Sequence, residues 1–273
     1  MNGPPTTPHG AAGDASLMEA AAEVARIAAE VALRHFHRPL DVERKADGSP
    51  VTIADRASER AAREWIEHRF PADGILGEEF GVTRPDAARR WLLDPIDGTK
   101  TFVRGVPLWG TLVAVVRHDA GGDTVLAGAA EFAALGESLA AAPGRGCWWN
   151  GTRCGVSAVA TLDAATVLTT DERFAALPAR RVAWERLAAR AALSRSWGDC
   201  YGYLLVATGR ADVMVDPVLS PWDCAVLQPL IEEAGGVFTD WDGVRGPNGN
   251  SAIATNAALA EAARACLAGD AKD

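Results

Sequence analysis

Residues 91–99 read WLLDPIDGT, an apolar run that stops abruptly at two carboxylates three positions apart. Pro95 fixes one backbone angle between the carboxylates, and Gly98 permits a sharp change of direction. We therefore predict a buried strand that ends at Asp94, followed by a tight turn with Asp94 and Asp97 on one side and the Ile96 carbonyl directed the same way. Such oxygens suit Mg²⁺. The alternative is an ordinary Asp-Gly turn between two elements.

Three further acidic features lie near the ends of predicted elements. Glu78 and its neighbour follow a short apolar strand at residues 75–77, where a solvated charge pair is the alternative to a site. Asp223 follows Ser220 by three positions, and Asp55 follows Thr52 by the same spacing. That spacing is typical of a capping box, in which the carboxylate accepts a hydrogen bond from the cap residue's backbone. The local pattern leaves both roles open, helix cap and site residue.

Composition limits the classes of function. The chain has 36 Asp+Glu against 27 Lys+Arg, a net charge of −9, which repels nucleic-acid phosphates, so we expect no nucleic-acid partner. The sequence has no G-x-x-x-x-G-K-[ST] loop, and its five histidines lie away from the acidic motifs. We therefore expect neither a P-loop nucleotide enzyme nor a histidine-based zinc site or phosphohistidine mechanism. The remaining candidate for the nucleophile is a water molecule activated by a metal ion.

Cysteine usage and hydropathy favour a cytoplasmic protein. The five cysteines are scattered and form no CxxC pair, which is typical of reduced, buried thiols. No apolar run reaches the ~18 residues that span a membrane. The N-terminus lacks the basic-then-apolar order of a signal peptide. We expect no membrane partner.

The order of predicted elements indicates an α/β protein, with an α+β first half and an α/β second half. We expect a flexible tail at residues 1–14, a metal-binding half at 15–150 and a half at 151–273 that completes the metal and substrate sites. Helices are predicted to begin near Ser16, with Glu19 as its capping partner, near Thr52 and near Ser220, and another is predicted around residues 184–193. Asn150-Gly151 predicts a hairpin.

These motifs together resemble the inositol monophosphatase superfamily of metal-dependent phosphatases. The resemblance covers about residues 17–265, and the motifs occur in the family's order: Gly77-Glu78-Glu79, Asp94-Pro95-Ile96-Asp97-Gly98-Thr99, Trp222-Asp223 and Glu233-Ala234-Gly235-Gly236. It implies a layered αβαβα sandwich, a small phosphorylated metabolite as substrate, two or three Mg²⁺ ions per site and a homodimer.

The resemblance also implies roles for individual residues. The first metal's ligands would be Glu78, Asp94 and the carbonyl of Ile96, and the second's would be Asp94, Asp97 and Asp223. Glu78 would also contact the third ion. Asp55 and Thr99 would activate the attacking water, and the backbone N–H groups of Gly98 and Thr99 would bind the phosphate.

Within the superfamily, three segments are similar to the histidinol-phosphate phosphatase branch: residues 99–111 (TKTFVRGVPLWGT), residues 195–203 (RSWGDCYGY) and Asp216-Pro217. Histidinol phosphate carries an ammonium and an imidazole beside its phosphate. Asp199 and Asp216 would pair with the ammonium, and Trp197 would line the imidazole side. The alternatives are an inositol-1-phosphatase, a related sugar or nucleotide phosphatase, and a non-catalytic metal-binding or interaction protein.

Overall fold

The computed structural model describes residues 11–46, 48–119, 122–174 and 177–269. Its helices are α1 (Ala11–Leu33), α2 (Ile53–Arg69), α3 (Thr99–Phe102), α4 (Pro178–Arg190), α5 (Asp199–Ala207), α6 (Pro221–Glu233) and α7 (Ala260–Ala268). Its strands are β1 (Glu43–Arg44), β2 (Pro50–Val51), β3 (Gly74–Gly77), β4 (Gly81–Thr83), β5 (Arg89–Asp97), β6 (Gly110–Asp119), β7 (Gly122–Phe132), β8 (Glu137–Ala142), β9 (Gly146–Trp149), β10 (Thr152–Cys154), β11 (Thr166–Leu168), β12 (Leu193–Arg195), β13 (Val213–Asp216), β14 (Val237–Thr239) and β15 (Ala252–Thr255).

Eight strands form the larger sheet, in the order β10-β9-β8-β7-β6-β5-β3-β4. β3 and β5 pair in parallel, and β5 through β10 pair antiparallel in succession. α1 and α2 cover one face of this sheet with a cluster that includes Val24, Ile66 and Trp91. α5 and α6 cover the other face with a second cluster, which includes Leu204 and Leu230. Burial on both faces explains why these strands are almost continuously apolar.

Five strands form the smaller sheet, in the order β12-β11-β13-β15-β14. One face contributes Met214 and Phe238 to the cluster that holds Leu204 of α5. On the other face, Trp184 of α4 and Val213 of β13 share a cluster with α7. The layers therefore run α/β/α/β/α, which confirms the predicted fold class.

Alternation along β5 explains how this strand serves two cores. Leu92 packs in the cluster with α5 and α6, whereas Trp91 and Leu93 pack in the cluster with α1 and α2. Successive side chains of a strand point to opposite faces, so an unbroken apolar run is needed where both faces are covered. The run therefore places the end of β5 between two helical layers.

Capping determines where the helices next to the site begin. Thr52 caps α2: its Oγ1 accepts a hydrogen bond from Ala54 N, and its own N donates to Asp55 Oδ2 at 2.8 Å. α6 begins after Ser220, whose N donates to Asp223 Oδ2 at 3.0 Å. Both predicted starts are confirmed.

Two other predicted helix bounds are wrong. α1 begins at Ala11, so Ser16 lies inside the helix and is no cap paired with Glu19. Alanine has the highest helix propensity, which explains the longer helix. α4 begins at Pro178, a residue suited to the first helical turn, and has ended before Leu193, which belongs to β12. The tail predicted for residues 1–14 falls mostly outside the described residues.

The larger sheet spans residues 74–154 and the smaller one 166–255. α6 nevertheless packs against β6 and β7 of the larger sheet, so the boundary at residue 150 stays a prediction about domains. All five cysteines are free thiols; four are buried as predicted, and Cys154 is half-buried. Within the described ranges, no helix combines the length and apolar character that a membrane span needs.

Candidate active site

A bulge at the carboxyl end of β5 creates the centre of the site. Asp94 pairs with Leu112 of β6 and Asp97 pairs with Gly110, so one strand advances three residues while the other advances two. In a regular strand, residues three positions apart point to opposite faces, and the extra residue of a bulge removes one alternation. Both carboxylates therefore lie on one side, as predicted. The predicted end of the strand at Asp94 is wrong, because β5 continues to Asp97.

Three carboxylates from two elements meet beside this bulge. Asp94, Asp97 and Asp223 each place an oxygen within 4.8 Å of the others. Asp223 comes from the first turn of α6, where backbone N–H groups and the helix dipole favour negative charge. Its Oδ2 caps the helix, while its buried Oδ1 has no hydrogen-bond partner among the described residues. The two roles that the local pattern left open are therefore combined in one side chain.

The protein surroundings disfavour the ionised form of all three carboxyl groups in the cluster. Burial, followed by repulsion from neighbouring carboxylates, raises the pKa of Asp94 and of Asp97 well above the usual aspartate range. Burial, reinforced by the charge of Glu78, raises the pKa of Asp223 to about 7. A divalent cation would offset this repulsion, and clustered hard oxygens are the donor set for such an ion. The residues present therefore fit a metal ion.

Lys45 closes the acidic rim of the site. Its Nζ lies 2.6 Å from Glu78 Oε1 and 2.5 Å from Glu79 Oε1. Burial alone would lower the pKa of Lys45, but its hydrogen bonds to the two glutamates outweigh that effect and raise it. The negative charge of Glu78 also helps to raise the pKa of Asp94. Glu78 therefore lies between a cation of the protein and the carboxylate cluster.

Asp55 and Thr99 form a hydrogen-bonded pair at the other side of the cluster. Thr99 Oγ1 lies 3.3 Å from Asp55 Oδ1 and 3.0 Å from the Ile96 carbonyl oxygen. Asp55 Oδ2 accepts the capping hydrogen bonds from Thr52, so its two oxygens also serve different purposes. Burial raises the pKa of Asp55. Gly98, at φ +89°, turns the chain from β5 into α3, and a Cβ there would lie 3.1 Å from Asp199 Oδ2.

A cavity of about 400 Å³ opens from the carboxylate cluster. Its lining combines acidic, polar and apolar side chains with one lysine: Asp97, Lys100, Thr170, Asp171, Phe174, Leu177, Asp199, Asp216, Pro217, Val218, Leu219, Ser220 and Asp223. Asp199 and Asp216, the two residues predicted to contact the ammonium, both line this cavity. Trp197 is 40% exposed and is not part of this lining.

Comparison with known proteins identifies the family to which this site belongs. Residues 14–272 match the sequence profile of the inositol monophosphatase family. The chain belongs to the inositol monophosphatase family. It is a phosphatase, and its substrate is a small phosphorylated metabolite. The site described above is thus the candidate active site of a member of this metal-dependent family.

Three relatives illustrate the match. The histidinol-phosphatase of Chlorobaculum parvum is 43% identical over 227 residues, which are 83% of this chain and 86% of the relative. The histidinol-phosphatase of Mycobacterium tuberculosis is 41% identical over 225 residues, 81% and 85% of the two chains. A solved inositol monophosphatase from Zymomonas mobilis superposes with a TM-score of 0.82 at 32% identity and covers 93% of this chain and 98% of that one.

Sequence reasoning missed several residues of this family member's site. Lys45 gave no signal, since a single lysine near a Gly-Pro turn is unremarkable. Lys100 directly follows the central motif, but its sequence context indicated only the branch resemblance and no contact with phosphate. The apolar wall of the cavity, formed by Phe174, Leu177 and residues 218–219, was also missed. Only its position between Asp216 and Ser220 could have drawn attention to residues 218–219.

Proposed function

We propose that this phosphatase is a Mg²⁺-dependent enzyme of histidine biosynthesis that hydrolyses L-histidinol phosphate to L-histidinol and phosphate. The observation that carries the proposal is one cavity that combines a carboxylate cluster suited to a divalent cation with an acidic and apolar wall suited to a cationic, ring-bearing group. The names of the two histidinol-phosphatase relatives support the same substrate.

Three metal ligands are assigned from the carboxylates that meet in the cluster, and Glu78 and the Ile96 carbonyl are added from the family resemblance. The complete set is Glu78, Asp94, the carbonyl of Ile96, Asp97 and Asp223, and we propose that these groups hold two Mg²⁺ ions, with a third at Glu78. The unpartnered Oδ1 of Asp223 supports this assignment, because a buried carboxylate oxygen without a donor is costly. When bound, Mg²⁺ supplies the positive charge that stabilises the transferring phosphoryl group and acidifies the attacking water.

Asp55 and Thr99 are assigned to proton transfer. Thr99 Oγ1 would receive a proton from the attacking water and donate its own to Asp55 Oδ1, which lies 3.3 Å away. Burial raises the pKa of Asp55 and so makes its carboxylate a stronger base than an exposed aspartate. The capping bonds on Oδ2 hold the carboxylate in orientation while Oδ1 takes the proton.

Phosphate binding is assigned to the start of α3. The first backbone N–H groups of a helix have no partner within it, so those of Thr99 and Lys100, with that of Gly98, can bind phosphate oxygens. The Lys100 side chain lines the cavity and adds a positive charge on the same side.

The remainder of the substrate is recognised by other residues of the cavity lining. Asp199 is assigned to the ammonium group of histidinol phosphate. Phe174, Leu177 and residues 218–219 offer an apolar surface to the imidazole ring, whereas the same surface would strip water from the hydroxyls of an inositol.

Asp216 and Trp197, the other two residues predicted to contact the substrate beyond its phosphate, are assigned differently. Asp216 accepts hydrogen bonds from Thr170 N at 3.1 Å and from Tyr203 OH at 3.0 Å, so both oxygens already have partners. We assign Asp216 to support of the cavity wall. The apolar wall takes the place of the exposed Trp197 beside the ring.

The location and assembly of the enzyme are part of the same proposal. We propose that it acts in the cytoplasm as a homodimer, on the basis of the family resemblance. The second candidate activity is hydrolysis of inositol 1-phosphate, favoured by the solved inositol monophosphatase that shares the fold at 32% identity.

Phosphate release from matched concentrations of L-histidinol phosphate and myo-inositol 1-phosphate, each with Mg²⁺ and with EDTA, tests the proposal. We expect a large advantage in kcat/KM for histidinol phosphate that EDTA abolishes. A preference for inositol phosphate would refute the substrate assignment and leave the metal chemistry intact. Activity that survives EDTA would refute the metal assignment.

A further inference from the structure

Asp199 has a backbone conformation that residues other than glycine rarely adopt. Its φ is +50°, in the left-handed region, at the first residue of α5 and at the edge of the cavity. Strain of this kind persists only where surrounding contacts hold it, and it is concentrated at functional sites. The contacts of Asp199 therefore indicate which neighbouring groups this conformation positions.

Thr170, just beyond the end of β11, holds the chain at this point. Its Oγ1 accepts a hydrogen bond from Asp199 N at 2.8 Å. Its backbone lies so close to Gly198 that a Cβ on that glycine would be 2.2 Å from Thr170 Cα. On the other side, Thr101 Oγ1 donates to Asp199 Oδ2 at 3.0 Å. Thr170 thus contacts two successive residues of the segment that enters α5.

The next residue shows the consequence of this arrangement. Cys200 N donates a hydrogen bond of 2.5 Å to Asp97 Oδ2. Asp97 belongs to the carboxylate cluster, and a backbone N–H on a carboxylate is a strong, charge-assisted contact that orients it. Asp199 N belongs to the peptide unit directly before the one that carries the Cys200 N–H, and the φ and ψ angles of Asp199 set the angle between the two units. Anchoring the first unit at Thr170, with Asp199 at φ +50°, therefore directs the Cys200 N–H towards Asp97.

We propose that Thr170 is a positioning residue for the metal site: its hydroxyl holds Asp199 in the left-handed conformation, so that the Cys200 N–H orients the Asp97 carboxylate. This inference rests on the proposed function, since it takes Asp97 as a metal ligand. Thr170 itself contacts neither the carboxylate cluster nor the pair of Asp55 and Thr99 in any hydrogen bond that the structure shows.

Threonine-to-valine replacement at two adjacent positions provides the test. Thr170→Val removes the hydroxyl that accepts from Asp199 N. Thr169→Val is the matched control, because Thr169 Oγ1 is buried and has no hydrogen-bond partner within the described residues. Replacing an unpaired buried hydroxyl by a methyl group is nearly neutral. Thr170→Ser restores the acceptor and should restore the function.

The readouts are Mn²⁺ binding, followed by electron paramagnetic resonance, and hydrogen exchange of the Cys200 amide in metal-free protein. Groups that orient metal ligands typically contribute 10–100-fold to metal affinity. We therefore expect Thr170→Val to weaken Mn²⁺ binding by about 10-fold or more and to accelerate exchange at Cys200. Thr169→Val should leave both unchanged, and Thr170→Ser should restore both.

A purely structural role would give a different result. Thr170→Val would then lower the melting temperature but leave the Mn²⁺ affinity and the exchange of the Cys200 amide as in the wild type, and either unchanged value overturns the proposal. If Thr170→Val does not fold, Thr170→Ala removes the same hydroxyl without the added methyl. Failure of the proposed metal site is distinguishable, because the wild-type protein would then bind no Mn²⁺ while the exchange measurement still reports on Thr170.

Discussion

Replacement of Asp223 by asparagine should stabilise the metal-free protein and disable the enzyme. Asp223 is 7% exposed, and burial raises its pKa from the ordinary 3.8 to about 7. The folded state therefore binds this proton more tightly than the unfolded chain does. Below pH 3.8 the carboxyl is neutral in both states. As the pH rises from 3.8 towards 7, the carboxyl ionises in the unfolded chain but stays protonated in the folded state, so the folded state loses stability relative to the unfolded chain.

The size of the effect follows from the two pKa values. Their difference corresponds to about 4 kcal/mol of stability, which is lost progressively as the pH rises from 3.8 to about 7. Asparagine carries no charge, and its amide oxygen can still accept the capping bond from Ser220 N. We therefore expect Asp223→Asn to recover up to about 4 kcal/mol in the absence of metal.

Urea unfolding in EDTA, at pH values from about 5 to 8, measures this gain. The difference between Asp223→Asn and wild type should grow with pH, while Asp86→Asn, at an exposed position, should give none. Added Mg²⁺ should reverse the order, because an ion that binds only the wild-type site stabilises only that protein. Phosphate release by Asp223→Asn should be at least ~100-fold lower than wild type.

A difference that does not change with pH would refute this reasoning, and so would a metal-free Asp223→Asn protein that is less stable than wild type at neutral pH. Either result would mean that the protein itself already stabilises the buried negative charge of Asp223 without a bound cation. The orphaned Oδ1 would then no longer support a metal site.

Three other substitutions separate the remaining roles. Asp94→Asn should lower turnover at saturating Mg²⁺ by ~100-fold or more with an unchanged circular dichroism spectrum, and near-wild-type turnover would remove Asp94 from the mechanism. Thr99→Val should lower kcat roughly 100- to 10,000-fold with little change in Mn²⁺ affinity, and Thr99→Ser should retain most activity. A Thr99→Val enzyme with normal kcat would exclude the proton path to Asp55. Asp199→Asn should raise KM for histidinol phosphate by about 10-fold but leave KM for p-nitrophenyl phosphate unchanged, because only the first substrate offers an ammonium. Equal losses on both would contradict the assignment of Asp199.

The two capping carboxylates, Asp55 and Asp223, show what the local sequence pattern can and cannot predict. Three-residue spacing from Thr52 and Ser220 correctly predicts the starts of α2 and α6. The same spacing cannot tell whether Asp55 and Asp223 have a second purpose, because capping uses one oxygen and the sequence does not show where the other points. The structure shows Asp55 Oδ1 facing Thr99, and it places Asp223 in the carboxylate cluster with its Oδ1 buried and without a hydrogen-bond partner among the described residues.

The bulge in β5 is a feature that the local sequence pattern could not predict. The motif correctly predicts that Asp94 and Asp97 lie together, but for the wrong local reason. A turn and a bulged strand place the two carboxylates alike, and only the pairing with β6 distinguishes them. Strand register depends on a neighbour elsewhere in the chain, so no reading of residues 91–99 alone could have chosen between them.

The amino-acid sequence by itself determined the mixed α/β class and the carboxylates that meet beside β5, because the apolar runs, caps and acidic motifs act over a few residues. The layered fold and the family followed from the resemblance that those motifs carry. Tertiary structure alone decided what surrounds those carboxylates. The Cys200 N–H reaches Asp97 across 103 residues, and Lys45 reaches Glu78 across 33. Such contacts depend on how whole layers pack, since side chains that are distant in sequence meet only after both sheets and their helices have buried their apolar faces.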